Sequence, residues 1–130
     1  MSLKSKGINA ERELVHMFWG KNWACLRVAG SGSNKYPSPD ILVGNKLRRM
    51  AIECKTTKDS KKYFEKDSID ALKMFAVVFG AEQWVAIKFK GHEWYFISLD
   101  DLKETAKGFA ASAELAKTKG FLFEEIINRQ

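Results

Sequence analysis

The chain has 130 residues, 45% of them hydrophobic and 29% charged, a size for one domain around one core and a balance unlike that of disordered, collagen-like or low-complexity chains. No apolar run reaches the roughly 20 residues of a membrane-spanning helix, and Met1 to Gly7 holds no secretory apolar segment, so a cytoplasmic protein without a membrane partner is expected. The net charge of +6 is unevenly spread, with 14 Lys/Arg against 6 Asp/Glu in residues 1–66 and 8 against 10 in residues 67–130. Such asymmetry favours a polyanion docking on the face built by the first half, the alternative being a solvated basic surface.

Residues 1–130 read as a single domain, with 1–5 expected to be flexible or tag-derived. Ile8 to Trp19 has Leu14, Val15, Phe18 and Trp19 at helical spacing. Gly20-Lys21-Asn22 breaks that helix, and Trp23 to Ala29 alternates as a strand. Gly30 to Pro39, rich in Gly, Ser and Pro, is a loop. Asp40 to Val43 and Leu47 to Lys55 read as strands of a hairpin turning at Gly44-Asn45-Lys46. A basic, polar stretch runs from Thr56 to Lys66. Asp67 or Ser68 can cap a second helix that buries Ile69, Leu72, Phe75, Ala76 and Phe79 and stops at Gly80. Gln83 to Phe89 and Glu93 to Leu99 form another hairpin around Lys90-Gly91-His92. A short helix is expected near Asp100 and a terminal one from Phe121 to Arg129, with residues 106–119 left unassigned. This order gives an α/β domain with a mixed sheet flanked by helices. Cys25 and Cys54 read as reduced packing residues, and His16 and His92 lack partners for a histidine-based mechanism.

Chemistry shows where charge interrupts an apolar pattern. Glu11 falls within the apolar stripe of the first helix, where an unpaired carboxylate costs several kcal/mol and calls for a cation or donor; a carboxylate favoured by the helix dipole is the alternative. In Met50-Ala51-Ile52-Glu53-Cys54-Lys55, strand parity places Glu53 and Lys55 on one face and Ile52 and Cys54 on the other. By themselves they could be a plain ion pair. Asp40, however, starts the preceding strand and can reach Glu53 across the hairpin. Clustered carboxylates raise one another's pKa unless a divalent cation neutralises them, and carboxylate oxygens with waters and a phosphate are what Mg²⁺ prefers. Lys55 beside such an ion could position or deprotonate water and stabilise charge on a phosphate. The expected substrate is a phosphodiester.

Pro39-Asp40, twelve residues, then Glu53-Cys54-Lys55 resembles the PD-(D/E)xK signature of restriction-endonuclease-like nucleases. Lys6 to Val15, Arg27 to Ser33, Pro37 to Ile41 and Ile52 to Lys55 together resemble, in order and spacing, the archaeal Holliday junction resolvases. The resemblance covers residues 6–58 well and the remainder loosely. It implies a restriction-endonuclease-like mixed sheet and a homodimer acting on branched, four-way DNA in recombination and repair. It implies catalytic roles for Glu11, Ser31, Asp40, Glu53 and Lys55. Asp40 and Glu53, with Glu11 through water, would hold Mg²⁺, Mn²⁺ being able to substitute. Ser33 rivals Ser31 as the supporting serine, and a loop serine is otherwise a turn former.

DNA contacts are expected from Lys6, Arg27, Lys35, Lys58, Lys61 and Lys62, with Lys4, Lys46, Arg48, Arg49 and Lys66 as further phosphate contacts. Tyr63 and Phe64, inside the most basic stretch, could stack on unpaired bases or anchor a loop. Phe75, Phe79, Trp84, Trp94 and Phe96 are candidates for the dimer contact or for the core. Two other functions fit the same residues. One is a nuclease of the same superfamily for linear or damaged duplex. The other is a non-catalytic DNA-binding module, disfavoured because three carboxylates would repel the phosphates it must bind.

Overall fold

The computed structural model describes residues 3–30 and 35–129. Helix α1 (Leu3–Trp19) leads through Gly20 and a left-handed Asn22 into β1 (Ala24–Arg27). Strands β2 (Ile41–Gly44) and β3 (Arg49–Thr57) form the expected hairpin. Its turn is held by the Asn45 side-chain oxygen, which accepts the backbone N–H groups of Leu47 and Arg48 at 2.9 Å each. Strand β4 (Lys61–Glu65) runs directly into α2 (Lys66–Phe79), followed by the hairpin of β5 (Glu82–Phe89) and β6 (Trp94–Ser98). A 3-10 turn (Leu99–Asp101), β7 (Lys103–Thr105), β8 (Gly108–Ser112), α3 (Ala113–Lys119), β9 (Phe121–Leu122) and α4 (Phe123–Asn128) complete the chain. Among the described residues no helix is long and apolar enough to cross a membrane.

The main sheet has the order β1-β2-β3-β5-β6-β9, and β4, β8 and β7 form a smaller sheet. Among the described residues only the β3–β5 pairing is parallel, Met50–Thr57 lying beside Glu82–Phe89. That pairing needs a crossover, which β4 and α2 supply. Val85, Ala86 and Ile87 are buried in succession, as expected of a strand covered on both faces. On one face, Leu14 and Phe18 of α1 and Ile126 of α4 pack on Ile41, Ile52, Cys54 and Phe96. On the other, Ile69, Leu72 and Ala76 of α2 pack with Ala51, Val85 and Ile87. The Phe18 ring meets the rings of Trp23, Phe96 and Phe123 at centroid separations of 6.1, 6.0 and 5.1 Å. Truncating such a fully buried ring costs about 3–5 kcal/mol.

Several expectations change. Helix α1 begins at Leu3, five residues before the Ile8 start expected from spacing. The basic stretch contains β4, in which only Phe64 is buried while Tyr63 is exposed. Phe64 is therefore core, not a base-stacking residue. Strand β4 continues straight into α2, so Glu65 holds the N-cap position without a side-chain cap, and neither Asp67 nor Ser68 serves as one. Gly80 ends the helix in the left-handed region at φ 87°, as glycine permits without strain.

The unassigned residues 106–119 form β8 and α3, and β8 pairs with β4 from Lys61–Ser112 to Glu65–Gly108. A Cβ at Gly108 would overlap the Phe64 carbonyl oxygen, so this close pairing requires glycine. Trp84, Trp94 and Phe96 are core residues, whereas Phe79 is exposed and Phe75 half-buried.

Arg48, at the entry to β3, is committed to the fold. Its Nε and Nη2 donate to the two Glu82 carboxylate oxygens at 2.8 and 2.9 Å. Its Nη1 donates to the Ile126 and Arg129 carbonyls at 2.7 and 3.0 Å, and the guanidinium lies 5.3 Å from the Trp23 ring centroid. One planar cation thus clasps β5 and the end of α4 to the β2–β3 hairpin.

Candidate functional site

The site forms where β2 begins beside the second half of β3. Ile41 pairs with Ile52, so Asp40, one residue earlier, falls opposite Glu53. Backbone bonds extend the ladder past the strand ends: Asp40 N–H donates to the Ile52 carbonyl at 3.1 Å, and Val28 N–H to the Asp40 carbonyl at 2.8 Å. The Asp40 carboxylate accepts the Cys54 N–H at 2.8 Å, which fixes one oxygen on the backbone between Glu53 and Lys55. Asp40 is buried. A buried carboxylate so anchored holds its direction whether or not a ligand is bound.

Strand parity sets the rest. Ile52 and Cys54 pack toward α1, leaving Glu53 and Lys55 on the side of α2. The Lys55 ammonium stands 3.6 Å from a Glu53 oxygen. Burial, then the Asp40 charge, pushes the Glu53 carboxyl up to about 7, with Lys55 pulling the other way. Glu11 is raised too, first by burial and then by Asp40, with Arg27 and Lys55 opposing. Arg27 Nη1 lies 3.4 Å from Glu11, the cation expected for a carboxylate in an apolar stripe. Glu11, Asp40, Glu53, Lys55 and Arg27 therefore act on one another electrostatically. Cys54, fully enclosed, has its thiol driven well above the ordinary value by burial and then by these carboxylates, so it stays neutral packing.

Asp40, Glu53 and Lys55 open into a cavity of about 480 Å³ that also includes Lys35, Tyr36, Asp67 and Ser68. The last two come from the first turn of α2, and the sequence reading missed their part in the site. Their signal lay in the topology: a helix crossing between parallel strands starts near the carboxyl end of the first, where α/β sheets gather ligands. Tyr36 was missed as well, since a tyrosine in a loop carries no periodic signal.

Lys6, Lys58 and Lys61 are exposed and Lys62 half-buried; Lys58, Lys61 and Lys62 follow β3, while Lys6 lies on α1. The Lys61 ammonium is 5.8 Å from the Tyr63 ring centroid. Arg27 is partly engaged by Glu11, and Arg48, in its clasp, is withdrawn from phosphate. Ser31 and its rival Ser33 lie outside the described residues.

Among the described residues no three His, Cys, Asp or Glu side chains converge tightly enough to hold an ion by themselves. Two neighbouring carboxylates, Asp40 and Glu53, nonetheless fit a hydrated divalent cation, which keeps several waters and needs only one or two carboxylates. The Glu53 carboxyl is raised first by burial and then by the Asp40 charge, and Lys55 offsets only part of the two.

A mixed sheet with helices on both faces is the fold expected of the restriction-endonuclease-like nucleases. The family model described as archaeal Holliday junction resolvase (Hjc) matches residues 2–130, and the chain belongs to that family. The crossover junction endodeoxyribonuclease Hjc of Archaeoglobus fulgidus is 38% identical over 130 residues, spanning 95% of this chain and 96% of the relative. The Hjc of Methanocaldococcus jannaschii is 34% identical, spanning 95% of this chain and 88% of the relative. A solved structure of Archaeoglobus fulgidus Hjc, titled a Holliday junction resolvase, superposes with a TM-score of 0.86 at 35% identity. It covers 92% of this chain and 98% of that one.

Proposed function

We propose that this protein is a structure-selective endonuclease that resolves four-way DNA junctions by paired, metal-dependent hydrolysis of phosphodiesters. The observation that carries the reading is the meeting of Asp40, Glu53 and Lys55 in one open cavity, with Asp40 held on the β3 backbone. The matched relatives are named crossover junction endodeoxyribonucleases, which supports the substrate class.

Asp40 and Glu53 would hold Mg²⁺, or Mn²⁺ in its place, with Glu11 reached through water. Such an ion, when bound, polarises a phosphate oxygen and lowers the pKa of water. The chain's own groups do the rest. The Lys55 ammonium, restrained by Glu53, presents positive charge where negative charge grows on the phosphate and can orient the attacking water. Glu11, paired with Arg27, sets the outer boundary of the acidic cluster. Lys6, Arg27, Lys35, Lys58, Lys61 and Lys62 neutralise backbone phosphates without reading sequence. Ser31 is proposed as the supporting hydroxyl, and Ser31→Ala against Ser33→Ala separates it from its neighbour.

Four-way DNA offers two equivalent strands, and a two-fold dimer with two cavities matches them. The face proposed for that dimer is the outer side of α2 with β1 at the sheet edge. Met74, Val77, Val78 and Phe79 are exposed there, Val78 at 84%. Phe79 also walls an apolar groove with Trp19, Leu26 and Leu42, and its ring stacks on Phe75 at 5.4 Å. Contiguous apolar surface of this kind marks an association site. Phe79→Lys should shift the sedimenting species toward the 14.8 kDa single chain, while an unshifted dimer would place the contact elsewhere.

The deciding experiment is cleavage of a labelled immobile four-way junction beside linear and single-stranded DNA of the same sequence, with Mg²⁺ or EDTA. Wild type should make paired symmetric nicks in the junction alone, lost with EDTA and in Glu53→Ala. Equal cutting of linear duplex would remove junction selectivity. Tight binding without cutting would leave only a DNA-binding module.

A further inference from the structure

Tyr36 shares the cavity with Asp40, Glu53 and Lys55, and the residue is 73% exposed. It follows Lys35, whose ammonium lies 5.7 Å from the ring centroid. It precedes Pro37-Ser38-Pro39, and the two prolines fix their own φ near −65° while driving Tyr36 and Ser38 toward extended backbone. The ring is therefore presented on a stiff arm that ends at Asp40. Four extended residues span at most about 14 Å, which is about four nucleotide steps at roughly 3.4 Å per step along a strand.

We infer that Tyr36 stacks on a base left unstacked at the branch point, and so is a residue that separates four-way DNA from continuous duplex. The inference rests on the junction-resolving function proposed above. In continuous duplex every base is covered on both faces, and exposing one costs a few kcal/mol, least where pairing or stacking is already interrupted. A branch point interrupts stacking, so the aromatic face gains there what it must first expend elsewhere. Lys35, over the ring, supplies charge for the neighbouring phosphate and leaves a second ring face for the base. Tyr63 is exposed as well, but it lies on β4 and is not part of the cavity wall, which makes it the control.

The test is a cycle of paired changes in protein and DNA, read as junction affinity in EDTA. Tyr36→Leu keeps bulk and removes the aromatic face; Tyr36→Phe keeps the face. The DNA change is a single abasic nucleotide at each position flanking the branch. Tyr36→Leu should weaken junction binding between about 5- and 150-fold, the range for loss of one base–aromatic stack, with linear-duplex affinity held within about twofold. Tyr36→Phe should match wild type. At one symmetry-related pair of positions, the abasic change should add no further loss to Tyr36→Leu, whereas with Tyr63→Leu the losses should add.

Losses that add at every position, or an equal weakening on linear duplex, would overturn the stacking role and leave the resolvase reading standing. If wild type showed no preference for the junction over duplex, the proposed function itself would fail and this inference with it.

Discussion

The two ends of β3 handle buried charge in opposite ways. At the near end, the Arg48 guanidinium gives its donors to Glu82, Ile126 and Arg129 at 2.7–3.0 Å. Burial alone would raise the Glu82 carboxyl, but the bonds from Arg48 and Trp84 prevail and hold it below its usual value. Further along, Glu53 has Asp40 across the hairpin and a single, longer contact to Lys55 at 3.6 Å, and it is driven up instead. One strand thus carries a charge cluster closed by the protein and another that, on the proposed function, a cation and a phosphate would complete. Removing one partner of a closed pair leaves an uncompensated charge, whereas raised carboxylates facing a cavity mark a candidate ligand site.

Removing charge at the two ends should expose the contrast. Asp40→Asn keeps an oxygen to accept the Cys54 N–H yet removes the anion, and junction cleavage should fall by roughly 10³-fold or more, the loss of several kcal/mol of transition-state stabilisation. Single-turnover cleavage on unchanged junction binding measures it, and near-normal cleavage would discard Asp40 as a ligand.

Glu53→Gln should stabilise the metal-free protein at pH 8. Folded Glu53 keeps its proton up to about pH 7, against about 4.5 when unperturbed. Between those values the folded state binds more protons than the unfolded chain. Stability therefore declines as pH rises through that window, by up to about 3 kcal/mol. Urea unfolding in EDTA at pH 5 and pH 8 should show the decline in wild type, a flatter profile in Glu53→Gln, and recovery with Mg²⁺ at pH 8. A flat wild-type profile would mean that the carboxylates do not burden the fold.

Arg48→Met should act in the opposite direction, leaving Glu82 and two carbonyls without their donor. A loss of about 2–3 kcal/mol is expected, less than for a fully enclosed pair because Glu82 meets solvent. It should appear as a lowered urea midpoint with cleavage intact where the protein is folded. The smallest effect belongs to Lys88→Ala, whose bond to Glu13 at 2.8 Å is largely exposed. A change below about 1 kcal/mol is expected there, and a larger one would point to the packing of Lys88 on Trp94.

The sequence by itself determined α1, the two hairpins, α2 and the shared face of Glu53 and Lys55. Those features rest on patterns local in the chain: helical spacing around Leu14 and Phe18, alternation from Ile52 to Lys55, and an Asn turn joining strands a few residues apart. Asp40 beside Glu53 was legible for the same reason, since a short hairpin leaves its register little freedom. Tertiary structure decided the remainder. Strand β4 is hidden in Lys61-Lys62-Tyr63-Phe64-Glu65 because only Phe64 is buried, and it exists through pairing with β8, far along the chain, at a glycine that lets the backbones meet. Asp67 and Ser68 reach the cavity only because the crossover turns the start of α2 toward the far end of β3. Arg48 looked like a phosphate contact until Glu82 and the carbonyls of α4 were brought around it. Which aromatics fill the core (Trp84, Trp94, Phe96) and which face outward (Tyr36, Tyr63, Phe79) likewise depends on neighbours distant in sequence. Composition fixes how much apolar surface there is to bury, but only packing assigns each ring a side.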